Sequence, residues 1–128
     1  MPTEITGRCL CGEVRFAVEG GMRSGNHCHC ESCRRATSSP FTTWFTVDRA
    51  VLRWTGATPQ SYASSPGVTR TFCPRCGTPM SYETAERPDD IDLYAASLDD
   101  HTGFAPQYHS NWDERVTWVA LADDLPRE

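Results

Sequence analysis

The chain has 128 residues, 38% of them hydrophobic, with a mean hydropathy of −0.52, which predicts one domain spanning residues 1–128 with a modest core. Its longest uninterrupted apolar run covers only residues 118–122, far short of the ~20 needed to cross a bilayer, and the opening residues carry no basic, apolar leader, so no membrane partner and a cytoplasmic location are expected. The formal charge is −5, and all 12 basic residues are Arg; without Lys, Schiff-base chemistry and a lysine general base are excluded, while Arg remains for binding carboxylates.

Charge is divided unevenly along the chain. Residues 1–80 hold nine Arg against five acids, and residues 81–128 three Arg against twelve acids. The acidic half argues against a nucleic-acid partner, and the run 83-ETAERPDDID-92 reads as a solvated loop.

Taken in order, the predicted elements are short strands between frequent turns. In 13–19, Val14, Phe16 and Val18 alternate with Glu13, Arg15 and Glu19, the period of two that puts one strand face in a core. Rougher versions recur at 43–47, 51–54, 68–72, 79–83, 91–96 and 116–121. Only 31–37 offers one or two helical turns. The reading is a mainly β chain of short antiparallel strands, organised around metal.

The seven cysteines carry the chemistry. An odd number argues against a closed disulfide framework, and all seven lie in tight groups: Cys9 and Cys11; Cys28, Cys30 and Cys33; Cys73 and Cys76. Closely spaced cysteines of this kind read as metal ligands. Cys73-Pro-Arg-Cys76-Gly77 has the pattern of a zinc knuckle, and Gly12 follows Cys11 in the same way. These two pairs supply the four thiolates of a closed structural site, leaving Cys28, Cys30 and Cys33 as a three-ligand set with an open fourth position, the pattern of a catalytic zinc. His27, His29, Glu31, His101 or His109 filling that position would instead make a second closed structural site. A zinc deaminase reading of His29-Cys30-Glu31 with Cys73 and Cys76 fails, because Phe72 rather than proline precedes Cys73 and the other cysteines would be orphaned.

The ordered motifs Gly7-x-Cys9-x-Cys11-Gly12-x-Val14-x-Phe16, Cys28-His29-Cys30-x-x-Cys33-Arg34 and Phe72-Cys73-x-x-Cys76-Gly77 resemble the glutathione-dependent formaldehyde-activating enzyme (GFA) family, which also includes centromere protein V. The likeness runs from Gly7 to about Gly77, with an echo in Pro106-x-x-His109 and in 118–128. It implies a zinc-stabilised β-tent fold, a structural zinc on Cys9, Cys11, Cys73 and Cys76, and a catalytic zinc on Cys28, Cys30 and Cys33. It also implies carbon–sulfur lyase chemistry, joining or splitting a glutathione-like thiol and a small aldehyde, as in S-(hydroxymethyl)glutathione. The segment 36-ATSSP-40 departs from the family where a glycine is expected, which bears on the shape of the pocket.

Zinc held by three thiolates has a net charge of −1, a weak Lewis acid that suits a sulfur ligand better than a hydroxide. A free thiol is only a few per cent ionised at pH 7. Full deprotonation therefore gains roughly thirty-fold, and positioning the sulfur against a bound aldehyde offers more. Arg34 and Arg35 are candidates for gripping a tripeptide's carboxylates, and His109 for exchanging a proton with the carbonyl oxygen. Trp44, Trp54, Trp112 and Trp118 read as core and rim aromatics. The alternative to an enzyme is a non-catalytic, zinc-scaffolded binding or chaperone module.

Overall fold

The structure, a computed structural model, describes residues 4–128. Strands β1 (Glu4–Arg8), β2 (Arg15–Glu19) and β5 (Leu52–Trp54) make a three-stranded antiparallel sheet in the order β1-β2-β5. The larger sheet contains β3 (Ser24–Cys28), β4 (Thr42–Asp48), β6 (Gln60–Ser65), β7 (Val68–Phe72), β8 (Pro79–Thr84), β9 (Asp90–Tyr94) and β10 (Tyr108–Ser110). Its seven strands run in the order β10-β3-β4-β9-β8-β7-β6, all antiparallel except β10, which lies parallel to β3. The one α-helix among the described residues is α1 (Glu31–Thr37), with Cys30 as its N-cap and Ser38, in the left-handed region at φ 52°, as its C-cap.

Alternation decides what each face of the large sheet does. On β4 and β9, Phe45, Val47, Ile91 and Leu93 point into a core shared with Val14, just before β2, and with Phe16 and Val18 of the small sheet. Their neighbours Trp44, Thr46, Asp92 and Tyr94 point the other way and line a cavity. Each fully buried side chain of the first set contributes about 1.5–3 kcal/mol, so the two sheets are held face to face while the outer face of the larger one is left for polar work.

Two expectations need correction. Residues 116–121 form no strand and pair with neither sheet, and Trp118 is 73% exposed; the short apolar run does not by itself make a strand without a pairing partner. The acidic run 83–92 is only partly solvated: Glu83, Asp90 and Asp92 are ion-paired with Arg49, Arg23 and Arg87, and Asp92 is buried. No helix among the described residues is long and apolar enough to cross a membrane.

Gly7 of β1 sits opposite Phe16 of β2, and a Cβ there would lie 2.3 Å from the Phe16 ring and 2.6 Å from the Ser97 carbonyl oxygen. Glycine is needed because the ring folds over the neighbouring backbone. Gly7→Ala is expected to cost about 1–3 kcal/mol by overpacking in urea unfolding, whereas Gly21→Ala, where a Cβ meets nothing within 4 Å, leaves the midpoint unchanged.

Candidate functional site

The seven cysteines are free and fall into two clusters. The first gathers Cys9 and Cys11, from the turn between β1 and β2, with Cys73 and Cys76, from the turn between β7 and β8; their sulfurs all lie within 4.8 Å of one another. Cys9 Sγ to Cys11 Sγ is 3.6 Å and Cys11 Sγ to Cys73 Sγ is 3.7 Å. Tetrahedral thiolates at 2.3 Å from a central ion would stand about 3.8 Å apart, so the set can hold a metal without rearrangement. Gly12 at φ 83° and Gly77 at φ 82° turn the chain after each pair, conformations that side-chain-bearing residues rarely adopt. The turns aim amides at sulfur: Val14 N–H donates to Cys9 Sγ, and the N–H groups of Arg75 and Cys76 donate to Cys73 Sγ, each at 3.4 Å. Hydrogen bonds from the Thr78 hydroxyl and backbone draw the Cys76 thiol down to about 5.

The second cluster joins Cys28, at the end of β3, with Cys30 and Cys33, at the start of α1. Cys33 N–H donates to Cys30 Sγ at 3.3 Å, so the helix cap and the cluster are one structure. Hydrogen bonds from Cys28 and Cys33 draw Cys30 down to about 2, while those same bonds with Cys28 and Cys30 push Cys33 well up. Thiols this close oppose one another's ionisation; a cation is what lets all of them ionise. Among the described residues no histidine or carboxylate joins the group. His27 bonds Thr43, His29 bonds His109, Glu31 pairs with Arg35, and His101 lies exposed on a loop.

All three sulfur-bearing residues line a cavity of about 1070 Å³ on the outer face of the large sheet. Trp44, Tyr82 and Tyr94 pack beside the cluster, and burial raises the Tyr94 phenol to about 12, which keeps it a hydrogen-bond donor at neutral pH. Of the residues expected to bind substrate, Arg34 turns away and donates to the His29 carbonyl at 3.4 Å. Arg35 reaches the cavity rim but is ion-paired with Glu31 at 2.9 Å. A third arginine, Arg70 of β7, also lines the cavity. It was concealed in sequence because 68–72 reads only as a strand; the available signal was its phase, two residues from Val68 and two from Phe72, which line the same cavity.

His109 is also placed differently from its expected role. On β10 it pairs in register with His27, while its neighbour Tyr108 lines the cavity; alternation turns His109 to the opposite face, fully buried. There its Nε2 lies 3.1 Å from the Asp123 carboxylate and its Nδ1 2.8 Å from His29 Nε2. A carboxylate only accepts, so Nε2–H of His109 donates to Asp123, and in the neutral tautomer this imposes, Nδ1 accepts from His29 Nε2–H. Burial holds His29 down at about 4. The chain Asp123–His109–His29 thus grips the residue between Cys28 and Cys30 from behind. His109→Leu leaves the buried His29 N–H without a partner and is expected to cost about 1–3 kcal/mol, read as a lower urea midpoint; an unchanged midpoint with lost turnover would return His109 to the chemistry.

Comparison with known proteins accords with this arrangement. The chain is 31% identical over 93 residues, 71% of its length and 67% of the other's, to a Schizosaccharomyces pombe protein named as an uncharacterized lyase. A crystal structure of a Rhodobacter sphaeroides protein superposes with a TM-score of 0.63 at 24% identity, covering 79% of this chain and 91% of that one, and so shares the fold. The sequence model described as glutathione-dependent formaldehyde-activating enzyme matches residues 4–114, and the chain belongs to that family.

Proposed function

We propose that the protein is a zinc-dependent carbon–sulfur lyase that joins or splits a glutathione-like thiol and a small aldehyde. In this reading residues 1–128 are one β-tent domain with two zinc ions, one structural on Cys9, Cys11, Cys73 and Cys76 and one catalytic on Cys28, Cys30 and Cys33. The observation that carries it is the set of three sulfurs, joined by no histidine, carboxylate or fourth cysteine among the described residues, opening into a cavity large enough for a tripeptide adduct. Seven free thiols also favour a reducing compartment such as the cytoplasm.

A zinc ion bound there would keep an incoming thiol ionised at neutral pH. The protein's own groups do the rest. Cys28, Cys30 and Cys33 fix where the substrate sulfur sits, and Trp44 and Tyr82 wall that position from bulk water. Tyr94 donates a hydrogen bond to the carbonyl oxygen. As the sulfur adds to the carbonyl carbon, the C–S bond forms and the carbonyl π pair becomes an alkoxide, which takes back through solvent the proton that the thiol gave up on ionising, to yield the hemithioacetal; the reverse sequence splits it.

The two clusters differ in what their loss does. Cys11 and Cys73 are separated by 61 residues, and a structural zinc joining them contributes on the order of 10 kcal/mol, comparable to the ~5–15 kcal/mol stability of a whole domain; the triplet closes only a local loop. Native mass measurement is expected to give two zinc ions per chain. Cys73→Ser then yields unfolded or aggregated protein, and Cys30→Ser folded protein that has lost one zinc and all turnover; collapse of Cys30→Ser instead would reverse the assignment.

Cobalt substitution separates the enzyme from a non-catalytic binding module. Millimolar glutathione is expected to change the sulfur-to-cobalt absorption of the triplet and leave that of the four-cysteine site unaltered. A spectrum indifferent to thiol would support the module.

A further inference from the structure

Three guanidinium groups line the cavity, and two are already committed: Arg35 pairs with Glu31, and Arg87 with Asp90 and Asp92. Arg70 pairs with no carboxylate among the described residues, and its Nη1 is buried without any hydrogen-bond partner. Its guanidinium lies over the Tyr82 ring, 4.9 Å from the centroid, and Tyr82 packs against the group formed by Cys28, Cys33, Trp44 and Tyr94. A buried, charged donor left unsatisfied is costly, and proteins retain such groups where a ligand completes them.

We propose that Arg70 is the residue that binds a substrate carboxylate in this cavity, fixing the reacting atoms against Cys28, Cys30 and Cys33. The proposal rests on reading the cavity as the site of thiol and carbonyl chemistry. A carboxylate is the ligand class because the planar fork of one guanidinium matches its two oxygens, and because the wall offers no second uncommitted cation, among the described residues, for a more highly charged phosphate. Stacking on Tyr82 fixes the plane of the fork and so the direction from which the carboxylate approaches. The carboxylate can belong to the thiol, as in glutathione, or to the carbonyl compound, as in a 2-oxo acid.

The test is calorimetric titration of the metal-loaded protein with two probes that carry no thiol to ionise on the metal: S-methylglutathione and glyoxylate. Arg70→Gln is expected to weaken binding of at least one of them by about tenfold to a hundredfold, the range for a charged hydrogen bond, with partial recovery in Arg70→Lys. Loss with S-methylglutathione assigns the carboxylate to the thiol, and loss with glyoxylate alone assigns it to the carbonyl partner. The diethyl ester of S-methylglutathione binds weakly to parent and variant alike if the thiol is the source. Equal affinity of parent and Arg70→Gln for both acids overturns the proposal, as does failure of the parent to bind either. Should Arg70→Gln not fold, Arg70→Lys decides: a several-fold loss for one of the acids supports the assignment, and unchanged affinity for both overturns it. The cobalt spectrum with glutathione is a separate readout. Indifference there, with Arg70-dependent binding of an acid intact, removes the lyase reading and leaves the carboxylate site standing.

Discussion

Everything in this molecule is arranged around the need to hold seven thiols in two small volumes without oxidising or repelling one another. The four-sulfur cluster ties the turn between β1 and β2 to the turn between β7 and β8, and so fastens the three-stranded sheet to the seven-stranded one at the same place where Phe16 and Phe45 pack, their rings 6.4 Å apart. Hydrophobic burial is non-directional and would tolerate sliding between the sheets. Sulfurs within 4.8 Å of one another tolerate none. The core supplies attraction between the layers, and the cluster supplies registration.

The three-sulfur cluster is held by different means. Its residues are contiguous, and what positions them is the helix cap made by Cys30, the threonine hydroxyls of Thr37 and Thr42 donating to the Cys33 carbonyl, and the histidine chain behind His29. One face of the large sheet therefore carries the aromatic and arginine wall of the cavity, while the other carries the polar support that keeps the cavity floor in place. That division follows directly from alternation along β3 and β10, where Cys28 and Tyr108 face one way and His27 and His109 the other.

Legibility in the sequence follows the same physics. β2, β4, β5, β8 and β9 were readable because each puts apolar residues into or against a shared core, β7 because Val68, Thr69, Thr71 and Phe72 are residue types that suit a strand, and α1 because Cys-Glu-Ser-Cys begins a turn with no β-branched run to resist it. β1, β3, β6 and β10 were not: Glu4–Arg8, Ser24–Cys28, Gln60–Ser65 and Tyr108–Ser110 contain little apolar alternation, and their strand character comes from pairing alone. The error at 116–121 is the converse, an apolar run that pairs with no strand. Both cysteine clusters could be read from the sequence: the triplet and each pair from local spacing, and the union of the two pairs because four thiolates close one site and leave three. Arg70 and His109 could not be placed, because the side to which a strand residue points relative to a cavity depends on the register of distant partners.

The parallel strand β10 has a consequence for the order in which the chain can assemble. His109 N–H donates to the Pro126 carbonyl, Glu128 N–H to the His109 carbonyl, and Trp112 N–H to the Glu128 carbonyl, so the segment that completes the cage around His29 begins 80 positions downstream of it. Contacts of such long sequence separation form late. On a ribosome, Cys28, Cys30 and Cys33 emerge early and wait, their loop unsupported, until residues 109–128 have left the exit tunnel. Through that interval the nascent triplet is an open trap for any soft metal ion or oxidant in its surroundings, and the compartment's thiol poise rather than the fold has to guard it.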